Sequence, residues 1–302
     1  MGFLDRLLGG GGGGDDDESR LADIARVEGG GIPLAAEERI RQLAAGGTAF
    51  TSGLSVGDFA LAKLDDVRPI CQVMGSSVYK VGWQNYPWGG WGSNAQLTEL
   101  RPLTDAWNHA RSLALGRLRE EARVAGCHAV VDVTFSATRH EFLAGEIEIA
   151  VNGTAVHLPE GGETPVLTDL SLPDYTLLRN AGYRPVGVVA STSVFYVVPG
   201  SATRRATNRT FAPNQELQDF TQGVYAARES ALDRADAQAQ RLGAGGMIGM
   251  RIEHDIGTRE TGSESNKRID LIVTFHIIGT AIAPAGEHLP LNPRTIVRQG
   301  AA

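Results

Sequence analysis

Apolar and polar positions alternate along Arg68-Pro69-Ile70-Cys71-Gln72-Val73-Met74-Gly75-Ser76-Ser77-Val78-Tyr79, and the pattern returns 116 residues later as Arg184-Pro185-Val186-Gly187-Val188-Val189-Ala190-Ser191-Thr192-Ser193-Val194-Phe195. A period of two rich in β-branched residues predicts a strand in each place. The lead-ins repeat too: Leu54-Ser55-Val56 with Asp58-Phe59, then Leu170-Ser171-Leu172 with Asp174-Tyr175. The chain therefore carries an internal repeat. Downstream the period changes to that of a helix. Trp107, Ala110, Ala114, Leu118, Ala122 and Ala125 recur at three- and four-residue steps and correspond to Val224, Ala227, Ala231, Ala235, Ala239 and Leu242. The alanines predict a helix lying close to its sheet, and Gly126 and Gly243 stand where a helix ends in the left-handed conformation.

A strand and a hairpin are expected after each helix. Val131, Val133 and Phe135 form one face in the first copy and Ile248, Met250 and Ile252 in the second. Ile147, Ile149 and Val151 form the inward face of the first return strand, matching Val273, Phe275 and Ile277. Upstream of the repeats, Phe3, Leu4, Leu7 and Leu8 make one side of a short amphipathic hook. Six glycines, Gly9 to Gly14, tether it, and an acidic run leads to helices over 20–27 and 34–45. The segments expected are a hook and tether at 1–14, acidic linker and adaptor helices at 15–49, repeat 1 at 50–158, a linker at 159–165, repeat 2 at 166–283 and a tail at 284–302.

Composition narrows the function. A chain of 302 residues has room for two domains, and a formal net charge of −7 with a pI near 5.5 argues against a nucleic-acid partner. Two cysteines cannot make a disulfide framework, no apolar run reaches the ~18–20 residues of a bilayer span, and the N-terminus has no secretory signal pattern. A cytoplasmic protein is expected, with peripheral membrane contact through the hook as a variant.

Three features bear on chemistry. Cys127-His128 is an adjacent pair of soft metal ligands that would need further ligands, with Cys71, His109 and His140 as candidates; the plainer reading is a buried thiol and a turn histidine. The loop from Trp83 to Gly92 holds Trp83, Tyr86, Trp88 and Trp91 and no charge, as a partner or ligand surface would, or as a cover for the end of the sheet. The second copy has instead a basic loop with Arg204, Arg205 and Arg209. The acid pairs Glu120-Glu121 and Glu146 with Glu148 are expected on solvated faces, and no nucleophile has a base that spacing places beside it.

Val73-Met74-Gly75-Ser76, the Ala-rich helix ending at Gly126, Ala129-Val130-Val131 and Gly153-Thr154-Ala155-Val156 together resemble the YbjQ-like family, labelled heavy-metal-binding. Gly187-Val188-Val189-Ala190, Gly243-Ala244 and Gly279-Thr280-Ala281 match more loosely. The resemblance implies an α+β fold of two tandem YbjQ-like β-α-β-β units, each an antiparallel sheet packed on an Ala-rich helix, and assembly into pentameric rings. Cys127-His128 and Ala244-Gly245 stand where the family commonly has an Ala-Asp pair. The expected function is a non-enzymatic oligomeric scaffold or binding module, recruited by its hook to a protein groove or membrane surface. The alternative is a metal-binding or small-ligand-binding protein that holds a divalent transition metal through Cys71, Cys127 and His128.

Overall fold

Among the described residues eight strands form two four-stranded sheets. Residues 14–46, 49–82, 94–140, 146–159, 161–208, 213–262 and 268–285 are described by the computed structural model. The first sheet has β1 (Arg68–Lys80), β4 (Glu146–His157), β3 (Ala129–His140) and β5 (Val166–Leu167), in that order. The second has β2 (Gln96–Glu99), β6 (Tyr183–Val198), β8 (Arg268–Pro284) and β7 (Gly246–Thr261). Among the described residues the helices are α1 (Gly14–Glu28), α2 (Leu34–Ala44), α3 (Val56–Leu64), α4 (Arg101–Val124), α5 (Leu172–Asn180), α6 (Ser201–Thr207) and α7 (Gln218–Arg241). The molecule is mixed α+β, and α2 packs on α4 and β1.

The two repeated lead-ins are helix starts. Ser55 and Ser171 cap α3 and α5 by accepting from the backbone N–H groups of Asp58 and Asp174, which satisfies donors that a first turn leaves free. The long helices α4 and α7 both run for 24 residues. Their alanine stripes are buried, and Gly126 and Gly243 close them at φ 63° and 69°. At Gly75 the approach of strand to helix is so close that a Cβ would lie 2.0 Å from the carbonyl oxygen of Ala114.

The face α4 turns away from β1 and β4 also packs, on the second sheet. Val194, Tyr196 and Val198 belong to the same core as Trp107, Ala110 and Ala114, whereas Val189, Val197 and Phe275 pack with the alanines of α7. The second sheet thus lies between two helices. The other face of the first sheet is covered by α3 and α5 through Ala62, Val131, Val156, Leu172 and Tyr175.

Two strand pairings depart from self-contained antiparallel units. β2 crosses to pair with β6 in the second sheet, and β5 adds to β3 in parallel. The faces of β3 and β7 also differ from strict alternation. A bulge between Val131 and Thr134, with Asp132 at φ 54°, puts Val130 and Val133 into the core beside α4 and Val131 into the opposite one. The bulge between Ile248 and Arg251, with Gly249 at φ 64°, likewise turns Met247 and Met250 toward α7 and leaves Ile252 exposed. One extra residue on one strand reverses the phase beyond it.

Candidate functional site

Cys71 and Cys127 are brought into one core, both unpaired and buried. Burial pushes the Cys71 thiol up to about 11 and the Cys127 thiol up to about 12, and each is further disfavoured as a thiolate by a neighbouring acidic group, Glu121 and Cys71 respectively. Cys127 Sγ donates to the Ala122 carbonyl at 3.3 Å. His128 is engaged elsewhere: its Nδ1 lies 3.1 Å from the Leu158 N–H, its ring meets His157 edge-on at 4.7 Å, and Gly161 covers it. Transition metals want thiolates and three or four convergent ligands. Among the described residues no group of three or more His, Cys, Asp or Glu converges for an ion. This donor set does not fit a heavy metal.

The hook residues Phe3, Leu4, Leu7 and Leu8 and the loop residues Trp83, Tyr86, Trp88 and Trp91 lie outside the described residues. A cleft of about 350 Å³ is lined by Tyr79, Lys80, Gly82, Pro102, Asp105 and His109. His109 meets Tyr79 edge-on there, at 5.3 Å. Glu121 departs from the expectation of a solvated acid: it is buried and accepts from the Met74 N–H at 2.7 Å. Burial raises its pKa, against the opposing effects of that hydrogen bond and Arg39.

Among the described residues a polar joint links α4 and β2 to the outer edge of β6. β2 pairs with residues 195–198 of that strand. The Leu100 N–H donates to Val194 O at 2.8 Å and Val194 N–H to Thr104 Oγ1 at 3.0 Å. One turn on, Asn108 accepts from Thr192 N–H at 2.9 Å and donates to Thr192 O at 2.9 Å. Buried Arg111 donates to Thr192 Oγ1 at 2.6 Å and reaches His276 Nδ1 at 3.3 Å, while the Trp107 ring meets His276 at 4.9 Å. Burial, and then the Arg111 charge, lower His276 to about 4, so it is neutral and its Nδ1 accepts. Glu99 completes the joint with an ion pair to Arg234 of α7 at 2.6 Å. Beyond β2, the Leu100 N–H and the side chains of Thr104 and Asn108 thus meet the backbone groups of Val194 and Thr192 that a further strand would otherwise pair.

Sequence reasoning missed Thr104, Asn108 and Arg111. Thr104 and Arg111 are polar residues inside the arc that Trp107, Ala110 and Ala114 mark as buried, and a polar residue there signals a second packed face.

Residues 96–159, which hold β2, α4, β3 and β4, match the YbjQ family model, whose description is "Putative heavy-metal-binding". Over 65 residues the chain is 40% identical to a UPF0145 protein of Thermus thermophilus, covering 22% of this chain and 55% of that one. A longer similarity runs to a protein of Mycobacterium tuberculosis named as an encapsulin nanocompartment protein: 31% identity over 255 residues, covering 82% of this chain and 91% of the relative. Residues 96–159 belong to the YbjQ-like family. Membership bears on how the metal label is read, because the family match includes Cys127 and His128 while the geometry gives them packing and backbone partners. No helix among the described residues is long and apolar enough to cross a membrane.

Proposed function

We propose that this chain is a non-enzymatic, self-assembling scaffold subunit made of two tandem YbjQ-like units, and that it serves in an encapsulin-type nanocompartment. The observation that carries the reading is the similarity to the Mycobacterium tuberculosis nanocompartment protein over nine-tenths of that protein's length. The polar joint supports it, because Thr104, Asn108 and Arg111 make hydrogen bonds to β6 and hold two sheets together, which is a builder's chemistry. In this reading the Trp83–Trp91 loop is the surface for another component, and the hook at 1–8 is a recruitment signal multiplied by assembly. A ring is the closed form a subunit of this kind would take.

Light scattering of the full chain should give a multiple of the 32.1 kDa chain mass at micromolar concentration, and the chain should co-sediment with closed particles from native extracts. A 32.1 kDa monomer that stays out of the particle fraction would overturn the reading. Deleting residues 1–14 should leave the assembly mass unchanged and abolish co-sedimentation; unchanged sedimentation would sink the recruitment role.

A further inference from the structure

We infer that a second copy of this chain docks on the outer edge of β1, offering residues 213–217 and the first turn of α7 to it. The inference rests on the self-assembly proposed above and assigns it a surface. Within the chain the joint has an acceptor, the outer edge of β6, and a donor, residues 96–111. Both sides have a counterpart elsewhere in the molecule. The β6 positions Ala190, Thr192, Val194 and Tyr196 correspond to Met74, Ser76, Val78 and Lys80 of β1. The donor positions Gln96 to Glu99, Leu100 and Thr104 correspond to Pro213 to Glu216, Leu217 and Thr221. One acceptor and one donor are joined internally, so one of each remains.

The remaining pair is exposed. β1 is the terminal strand of its sheet, with Val78 63% and Met74 49% exposed. Pro213 to Glu216 are exposed and belong to no strand, though the same four places in the first half form β2. The chemistry partly repeats. Thr104, which accepts from Val194 N–H, has an identical counterpart in Thr221, aimed by correspondence at Val78; Leu100 has Leu217. The Glu99–Arg234 ion pair has Glu216 and Arg117 in the equivalent places. Arg117 holds the Ser76, Val27 and Gly31 carbonyls, so the turn between α1 and α2 lies beside this edge. Tyr225, 57% exposed, replaces Asn108, so the Ser76 contact differs from the internal one.

Donor and acceptor are different surfaces, so the contact is heterologous and propagates head to tail until it closes or forms a filament. It also accounts for a long edge strand with apolar Met74 and Val78, which in a lone molecule invites uncontrolled pairing.

Cysteine cross-linking of the full chain tests it. Tyr196 and Thr98 face each other across the internal joint, so their counterparts Lys80 and Gln215 should face each other between copies. Buried Cys71 and Cys127, with raised thiol pKa values, give little background. Mixing a Lys80→Cys chain with a Gln215→Cys chain should give a disulfide- or short-linker-joined dimer, neither chain should cross-link alone, and the double variant should give a ladder. Val78→Asp should weaken assembly at least tenfold, while Leu177→Asp, at an exposed place on α5, should leave it unchanged. Cross-linking of Lys80→Cys alone would mean a symmetric contact and overturn the inference. So would an assembled mixture without the cross-link, which leaves self-assembly itself standing. A monomer by light scattering overturns both.

Discussion

Glu121 and Gln238 occupy the same place on α4 and α7, and the difference between them is testable. Gln238 accepts from the Ala190 N–H at 3.1 Å and donates to the Ala190 carbonyl at 3.0 Å, whereas an ionised Glu121 can only accept from Met74. Burial raises the Glu121 pKa above the usual 4.5, so the folded state holds this proton more tightly than the unfolded chain. The group's contribution is then present in full below the unfolded value and is lost as pH rises through the folded one. Glu121→Gln should raise stability near neutral pH by ~1 kcal/mol, the net worth of one added hydrogen bond and a removed buried charge, and flatten the decline above pH ~4.5. Denaturant unfolding at a series of pH values measures both. Gln238→Glu should do the reverse. The identity of these two positions could be read from the sequence once the helices were aligned; the burial of Glu121 could not, because an acid next to Glu120 on a helix reads as surface until the strand that crosses above it is known.

Between elements, the separation of helix and strand is set by Gly75 on one side and Ser191 on the other. Ser191 Oγ donates to the Ala231 carbonyl at 2.8 Å, but an added Cβ at Gly75 would stand 2.0 Å from Ala114 O and 2.6 Å from Leu118 N. α4 therefore lies deeper on β1 than α7 does on β6. Gly75→Ala should destabilise by ~3 kcal/mol, as overpacking against a helix backbone that cannot yield, with Ser191→Gly costing about 1 kcal/mol. Thermal unfolding that leaves Gly75→Ala unchanged would contradict the close approach. The alanine stripes, the glycine stops at Gly126 and Gly243 and the strands themselves were legible because each writes a period into the sequence. The bulges at Asp132 and Gly249 were not, since a single inserted residue leaves the alternation looking intact on both sides. β2 was hidden for a different reason: four residues carry too little pattern to tell which sheet they join. Cys127-His128 was open to two readings, metal ligands or a buried thiol beside a turn histidine, because adjacency in sequence does not tell that Cys127 enters the core while the His128 ring meets Leu158 and His157.

Taken whole, the molecule depends on α4 serving two sheets at once, and His276 makes that joint sensitive to acid. The imidazole is enclosed by Arg111, Thr192 and Trp107, with Glu253 opposite it across β7 and β8. Burial, and then the guanidinium of Arg111, lower it from 6.5 to about 4. The unfolded chain thus binds this proton first. The stability it contributes is present above pH ~6.5 and is lost as pH falls toward ~4, about 3 kcal/mol across the window. A protonated ring would set a second cation against Arg111, whose own Nε is buried without a hydrogen-bond partner among the described residues. In the joint inferred between copies the counterpart of His276 is Ala150, so this acid response belongs to the joint inside each chain. Denaturation midpoints followed from pH 7 to pH 4 should fall more steeply for the natural chain than for His276→Gln, which keeps an acceptor for Thr192 and Arg111 and has nothing to protonate. Parallel curves for the two proteins would show that the imidazole is not what acid attacks.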